Sequence, residues 1–343
     1  MSARISATSS AYAAAGVDIA AAEENVRRIS QQVRSTHGPS VLGSFGAFAG
    51  LFHLQGVGDP VLVASTDGVG SKVLIGSQLG RFEVLGSDLV NLSVNDVLTT
   101  GARPLFFLDY VGLHALDHDV MQALVSGMAA ACRDNGCALL GGETAQLAEL
   151  YAPGHLDLAG TVVGVVERGQ IVDGSTVEIG DRVWALPSTG LHTNGFSLAR
   201  KVVAGMDLAT DPDGRLGQPL GDALLAPHPS YYPSLRTLVP RLKAIAHITG
   251  GGVPGNLPRV LPDGVSVELN WGSWPVPAIF AWLSDLGGIS FDEMWHVFNL
   301  GLGLIFVAAA SLDVPALCPA ALAVGRVTPP SGQRVRLLGA PVE

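Results

Sequence analysis

The chain has 343 residues and a mass of 35.4 kDa, with 48% hydrophobic residues, 15% charged residues and a formal net charge of −10. That length exceeds one ordinary hydrophobic core and predicts two domains, while the composition excludes disorder. The acidic balance excludes a nucleic-acid partner held on a basic surface, but a phosphorylated small substrate needs only local donors and stays open.

Residues 1–15 read as an arm. Asp18 is a candidate N-cap for a helix in which Val26, Ile29 and Val33 share a face, ending near His37-Gly38-Pro39. Gly43-Ser44-Phe45-Gly46-Ala47-Phe48 interleaves glycines with aromatics, either a loop whose free amides close over phosphates or a packed turn. Pro60-Val61-Leu62-Val63 predicts a short buried strand, after which the chain is expected to turn sharply through Asp67. Asp67, Gly68, Gly70 and Lys72 then follow one another closely. A carboxylate for a hard cation, exposed amides for phosphate oxygens and an amine for phosphate charge meet there. The Walker A spacing is absent. Taken alone this is a glycine turn with an incidental lysine; its weight comes from the polar strand ends that follow.

Glu83 to Thr100 predicts a helix stopped by Gly101. Asp88, Asn91 and Asn95 recur on one face with Asp96 beside them. A solvated face normally uses Glu, Lys and Arg, whereas short Asp and Asn are poor helix formers and good hard-cation ligands, so the stripe is read as functional. Arg103-Pro104 opens a strand through Leu108 that ends on Asp109-Tyr110, and a helix from Asp117 to Arg133 follows. Cys137 to Leu140 is a third strand, running into Gly141-Gly142-Glu143-Thr144. Strands ending in Asp67, Asp109 and Glu143 imply an acidic cluster with Mg²⁺ as counter-charge if they share a sheet, and scattered turn acids if they do not. Cys132, Cys137 and Cys318 form no C-x-x-C pair, which predicts reduced thiols rather than zinc or disulfides.

Leu158 to Val166 is a fourth strand, and the turn-rich Glu167 to Asp181 marks a boundary between domains 1–170 and 171–343. Arg182 to Leu186 is a strand entering Gly190-Leu191-His192-Thr193-Asn194-Gly195, with a helix from Phe196. A strand, a glycine loop and a helix start carrying His and Asn make a candidate anion or catalytic site, although a lone His is more often structural. Residues 206–233 read as a connection. Ala244 to Ile248 is a strand leading into Thr249-Gly250-Gly251-Gly252, with Asn256 and Arg259 beyond. Three glycines cost backbone entropy, which points to close approach of a ligand, and Arg259 is available for phosphate. The tail offers a polar helix around 276–286 and a strand at 302–309, with no evident chemistry. Despite a mean hydropathy of +0.37, the most apolar stretch, Leu300 to Ala310, is too short and glycine-interrupted for a bilayer. No apolar signal core precedes Glu23, so a cytoplasmic protein without a membrane partner is expected.

Several of these stretches together resemble the aminoimidazole ribonucleotide synthetase (phosphoribosylformylglycinamidine cyclo-ligase) family along nearly the whole chain. They are Ala15 to Asp18, Thr66 to Lys72, Gly86 to Val90, Val94-Asn95-Asp96, Pro104 to Tyr110, Gly141 to Thr144, Gly190 to Gly195, His247 to Gly252 and Phe298 to Gly303. Each motif is modest and several recur across a wider ATP-using superfamily; their ordered set is specific. Departures are the glycine-poor loop at Gly43, Ser71 where Thr is usual, Thr193 in place of Ser, and the small Val253-Pro254-Gly255 after the triple glycine.

The resemblance implies a mixed α/β protein of two domains, working as a homodimer whose N-terminal sheets form a shared barrel, with a C-terminal α/β sandwich. It implies ATP-dependent cyclisation of formylglycinamidine ribonucleotide to aminoimidazole ribonucleotide with release of ADP and phosphate. Joined to the residue reading, it assigns Mg²⁺ to Asp67, Asp88, Asp96 and Glu143, with Asn95 in the ATP–metal shell. ATP phosphates fall to Gly43, Gly46, Gly68, Gly70 and Lys72. Lys72, His192 and Asn194 serve the chemistry, and His247, Thr249, Gly250, Gly251 and Arg259 the ribose phosphate. The rivals are a related ATP enzyme such as thiamine-phosphate kinase, a non-catalytic paralogue, and a dinucleotide oxidoreductase. The last lacks its G-x-G-x-x-G fingerprint here.

Overall fold

A computed structural model describes residues 19–43, 45–46 and 49–341. The arm at 1–15, the Asp18 cap, the 15–18 motif and Ser44, Ala47 and Phe48 lie outside the described residues.

The first half comprises α1 (Ile19–Arg34), β1 (Val41–Leu42), β2 (Leu51–Phe52), β3 (Pro60–Gly68), α2 (Lys72–Gln78), α3 (Phe82–Leu98), β4 (Arg103–Leu113), α4 (His118–Asn135), β5 (Ala138–Gln146) and β6 (Leu156–Glu167). Its main sheet has the order β3-β6-β4-β5; β6 is antiparallel to both neighbours, and β4 and β5 are parallel. Asp117 caps α4 by accepting from the amides of Asp119 (2.9 Å) and Val120 (3.1 Å), and Gly136 ends it at φ 68°. The crossing of α3 and α4 depends on two glycines. A Cβ on Gly86 would sit 2.0 Å from the Leu124 carbonyl, and one on Gly127 would sit 1.9 Å from that of Glu83. Leu85, Leu89, Leu92, Phe107 and Val162 fill the space between these helices and one face of the sheet. The other face is open, with Leu62 63% and Leu108 37% exposed.

Three expectations are corrected here. β3 is no short buried strand: it runs nine residues, alternately half-buried and exposed. Asp67 pairs inside it with Gly160, and the turn comes only at Gly70, φ 57°. β4 and β5 likewise continue past Asp109 and Glu143, so none of the three acids ends a strand. The apolar runs mark only the halves of these strands that pack on helices; the polar halves pair just as well, because ladder bonds are made by backbone. On α1, Ile29 and Val33 are buried but Val26 is 44% exposed.

The second half comprises β7 (Arg182–Pro187), α5 (Phe196–Val202), α6 (Leu220–Leu224), α7 (Tyr232–Leu235), β8 (Leu242–His247), α8 (Gly252–Asn256), β9 (Ser266–Asn270), α9 (Ala278–Gly287), α10 (Phe291–Val297), β10 (Leu302–Ala308), α11 (Val314–Leu317), β11 (Leu322–Thr328) and β12 (Val335–Leu338). Six strands form one mixed sheet, β12-β9-β11-β7-β10-β8, in which β9 and β12 are the parallel pair. All seven residues of β10 are buried, as expected of a strand covered on both faces. The helix at α9 is not polar: it buries Ile279, Phe280, Trp282 and Leu283. The two halves share a core in which Leu98 of α3 packs with Leu186, Tyr231, Leu235 and Leu304. No helix among the described residues is long and apolar enough to cross a membrane, and the three cysteines are free and buried.

Candidate active site

A cleft of about 490 Å³ opens where β3 and the end of α3 face β8 and α8; Ser65, Asp67, Asp96, His247, Thr249 and Arg259 are among its lining residues. It therefore gathers acids from the first half with the expected phosphate-binding residues of the second. Asp67 is exposed to the cleft, accepts only the amide of Gly68 (2.7 Å), and has no cation partner among the described residues. Desolvation by the walls raises its carboxyl above the ordinary range; repulsion from Asp96 adds to this and His247 opposes it. Arg259 is exposed and donates only to Asn256 Oδ1 (3.3 Å), so its charge is also unspent.

The triple-glycine loop is held from behind. Buried Asn256 donates to the carbonyls of Thr249 (3.3 Å), Gly250 (3.2 Å) and Gly252 (2.8 Å) and accepts from the Thr249 hydroxyl (3.2 Å). Asn194 Oδ1 accepts the Gly250 amide at 2.9 Å. Asn194 thus shapes the loop and does not line the cleft, where a part in the chemistry was expected of it. Gly252 has φ 59°, and a Cβ there would lie 2.1 Å from the Trp295 carbonyl.

Much of the expected site lies behind the cleft wall, in a dry seam. Lys72 and Asp88 are both fully buried, with Nζ 2.6 Å from Oδ2, and Lys72 also donates to the Ala226 carbonyl (2.9 Å). Lys72 is therefore not presented to ATP phosphates, nor Asp88 to a metal; each neutralises the other. The rest of the α3 stripe serves backbone. Asp88 accepts the amide of His228 (2.7 Å), Asn91 donates to its carbonyl (2.9 Å), and Asn95 bonds the Pro229 carbonyl (2.9 Å) and the Tyr231 amide (2.8 Å). Short Asp and Asn side chains suit this task because the chain at 228–231 passes too close for longer ones. Asn95 is therefore not free for ATP. Asp96 alone of the stripe reaches the cleft, and both its oxygens are engaged, Oδ2 by the Ser65 hydroxyl (3.0 Å) and Oδ1 by His247 Nδ1 (2.9 Å). That pairing takes Asp96 out of the expected metal set.

His192 is fully buried at φ 61°, its ring stacked on His228 at 4.1 Å between centroids. Burial pushes it well below the ordinary imidazole range, with His247 and Lys72 adding to the effect, so it is neutral, and it does not line the cleft. Nitrogens of His192, His228 and His247 lie within 4.8 Å of one another. The planes of His192 and His228 are 20° apart, however, and in-plane lone pairs of nearly parallel rings do not meet at one ion about 2 Å away. The three imidazoles form a stack and a hydrogen-bond chain, not a metal cage.

The acidic ladder is partly assembled. Asp67 and Asp109 both pair with Gly160, one on each side, and so stand level on the same face of the sheet. Glu143 pairs with Tyr110, one residue out of step, and is exposed. Asp109 and Glu143 border a separate cavity of about 250 Å³ under α1, which Phe45 of the Gly43–Gly46 loop also lines. Desolvation lifts the Asp109 carboxyl to about 7, with Glu143 repelling it further. Gly43 and Gly46 are exposed at φ 83° and 92°, and Gly70 at 57°. Gly68 is a packing glycine, since a Cβ there would lie 2.8 Å from the Leu158 carbonyl. Sequence reasoning missed His228, in a proline-flanked segment with no pattern, and the buried Asn299, which binds Ser188 (2.7 Å), Gly190 (2.8 Å) and Gly301 (2.9 Å) within the quoted Phe298–Gly303 motif.

Residues 49–166 match the family described as AIR synthase related protein, N-terminal domain, and residues 178–337 match its C-terminal domain. The chain is 45% identical over 334 residues to a phosphoribosylformylglycinamidine cyclo-ligase of Nitratidesulfovibrio vulgaris, covering 96% of this chain and 93% of that one. It is 49% identical over 305 residues to the enzyme of the same name from Myxococcus xanthus, covering 87% and 88%. Among solved structures, thiamine-monophosphate kinase from Stenotrophomonas maltophilia is similar with a TM-score of 0.62 at 21% identity, over 92% of this chain and 96% of that one. The hydrogenase maturation protein HypE in complex with ATP gives 0.64 at 17%, over 92% and 90%. At such identities the two structures speak for the fold alone.

Proposed function

The chain belongs to the phosphoribosylformylglycinamidine cyclo-ligases of the AIR synthase related family, and from that membership we propose a division of labour among its residues. The enzyme makes aminoimidazole ribonucleotide in purine biosynthesis, using ATP. An amide oxygen is a poor leaving group, and phosphorylating the formyl oxygen of formylglycinamidine ribonucleotide makes it a good one. The amidine nitrogen then attacks that carbon, the C–O bond breaks, phosphate leaves with the electron pair, and the nitrogen gives up a proton. Both reacting groups belong to one molecule, so holding it folded supplies much of the rate.

The observation that supports this reading best is the cleft between the two halves, where an acid without a cation faces a guanidinium without a carboxylate. We assign the ribose phosphate to Arg259 and the loop Thr249–Gly252, whose geometry Asn256 and Asn194 maintain. Asp67 points to the other end of the same space. ATP phosphates are assigned to the Gly43–Gly46 loop and the turn at Gly70, with Glu143 beside them.

Mg²⁺ fits Asp67, whose carboxylate has no cation partner among the described residues and offers the oxygen donors this ion prefers; Asp109, about 10 Å away across two strand spacings with the Phe107 ring over the intervening Gly160, is too far to share one ion. Bound there, Mg²⁺ would offset charge on the phosphoryl group in transfer. The open apolar face around Leu62 and Leu108 supports a dimer in which the first sheets of two copies pack together.

The test is ADP release by the purified protein given ATP, Mg²⁺ and formylglycinamidine ribonucleotide, with ring formation followed alongside. One ADP per ring, abolished without substrate, is expected. ADP formed with thiamine phosphate, and none with the ribonucleotide, would overturn the assignment.

A further inference from the structure

His228 has no role in the proposal above, yet it touches more of the seam behind the cleft than any other side chain there. Its place can be argued by counting protons. Asn95 has a fixed orientation: Oδ1 accepts the Tyr231 amide at 2.8 Å and Nδ2 donates to the Pro229 carbonyl at 2.9 Å. The second N–H of Nδ2 is left facing His228 Nε2 at 3.3 Å, so that ring nitrogen accepts. The proton of His228 then sits on Nδ1, 3.3 Å from the Thr193 hydroxyl oxygen. His228 Nε2 also lies 3.0 Å from His247 Nε2, and two ring nitrogens that close need one proton between them. With His228 Nε2 bare, that proton belongs to His247, whose shorter N–H contact shares the single Nε2 lone pair with the Asn95 amide. The other nitrogen of His247, Nδ1, lies 2.9 Å from Asp96 Oδ1, which also requires an N–H. The reverse arrangement would press two N–H groups together where no water reaches, at about 1–3 kcal/mol.

We infer that His228 is a positioning residue that obliges His247 to carry a proton on both ring nitrogens, making Asp96 and His247 a closed ion pair in the wall of the cleft. The neighbouring charges agree. Lys72 is neutralised by Asp88, and His192, stacked on His228, is neutral. His228 itself is kept uncharged by burial, with His192, His247 and Lys72 adding to the effect. Asp67 is then the one uncompensated acid among the cleft residues named above, and Asp96 does not repel an anionic substrate approaching Arg259. Both nitrogens of His247 are spent, so its part in substrate binding is to cancel the Asp96 charge and not to hydrogen-bond the phosphate.

The experiment is ¹⁵N NMR of the full-length protein labelled in histidine, with the His247 signals identified by their loss in His247→Gln. Two protonated ring nitrogens are expected for His247 in the unaltered protein. A bare Nε2 there overturns the inference whether or not any variant folds, and without reference to activity. His228→Leu removes the acceptor and should leave His247 with one bare nitrogen; His228→Gln, whose amide oxygen can accept, should restore both protons. The kinetic arm alone rests on the cyclo-ligase reading. KM for the ribonucleotide should rise about tenfold in H228L with kcat changed much less, and recover in H228Q. An unchanged KM in a folded H228L would overturn the role in substrate binding.

Discussion

Asp67 and Lys72 stand five residues apart in one glycine-bearing motif, yet the fold sends them to opposite environments. Asp67, on an edge strand, looks into a wet cleft with no cation against it. Lys72, at the start of the next helix, is fully enclosed with Asp88 and a backbone carbonyl. The difference lies in what each charge is for. A charge that must meet a ligand is left unpartnered at a surface. A charge that joins two segments is paired and dried, and removing its partner then costs far more than removing the pair. Spacing in the sequence does not separate the two cases, because both sit beside glycines at the end of the same apolar run.

The contrast can be broken first at Lys72. Lys72→Met leaves a buried carboxylate without its cation and should lower stability by about 3–5 kcal/mol, read as a fall in the urea midpoint. The double change K72M/D88N, which keeps an acceptor for the His228 amide, should recover most of that loss. A single variant that unfolds like the parent but no longer turns over ATP would instead make Lys72 a ligand group and dissolve the distinction. Asp67→Asn should do the opposite, leaving the urea midpoint almost unmoved while kcat/KM falls about a hundredfold, near 3 kcal/mol of barrier. Equal losses of stability and activity would count against a metal role.

The open sheet face extends the comparison to apolar residues. Leu62→Glu puts a charge on a surface that needs to be dry only if a second copy covers it, and a two-fold contact counts the charge twice. Sedimentation should show the dimer dissociation constant raised at least about tenfold; unaltered association would remove this face from the interface.

A pH-dependent effect is expected at Asp109, whose carboxyl is lifted from 3.8 to about 7 mainly by desolvation. A group raised on folding favours the native state in its protonated form. Its contribution is complete below the unfolded value of 3.8 and drains away as pH climbs through 7. The parent should therefore lose unfolding free energy relative to Asp109→Asn across that window and run parallel to it outside. A constant offset from acid to alkaline pH would mean the carboxyl titrates normally.

The sequence by itself determined the two-sheet, mixed α/β character, the helices at α1, α3 and α4, and the family, because these rest on local periodicity and on ordered motifs. It also placed Asp67, Thr249 and Arg259 in stretches that the fold does bring together. Which polar residues face a ligand was decided only in three dimensions. The Asp and Asn stripe of α3 carries the spacing of a metal-binding face, and the backbone at 228–231, more than a hundred residues away, turns it into a hydrogen-bonded seam. His228 carried no signal at all, since its weight comes from two imidazoles and an amide that reach it only when the halves close. Burial, and with it the cost of an unpaired charge, belongs to the packed chain and is not encoded in the spacing of any one segment.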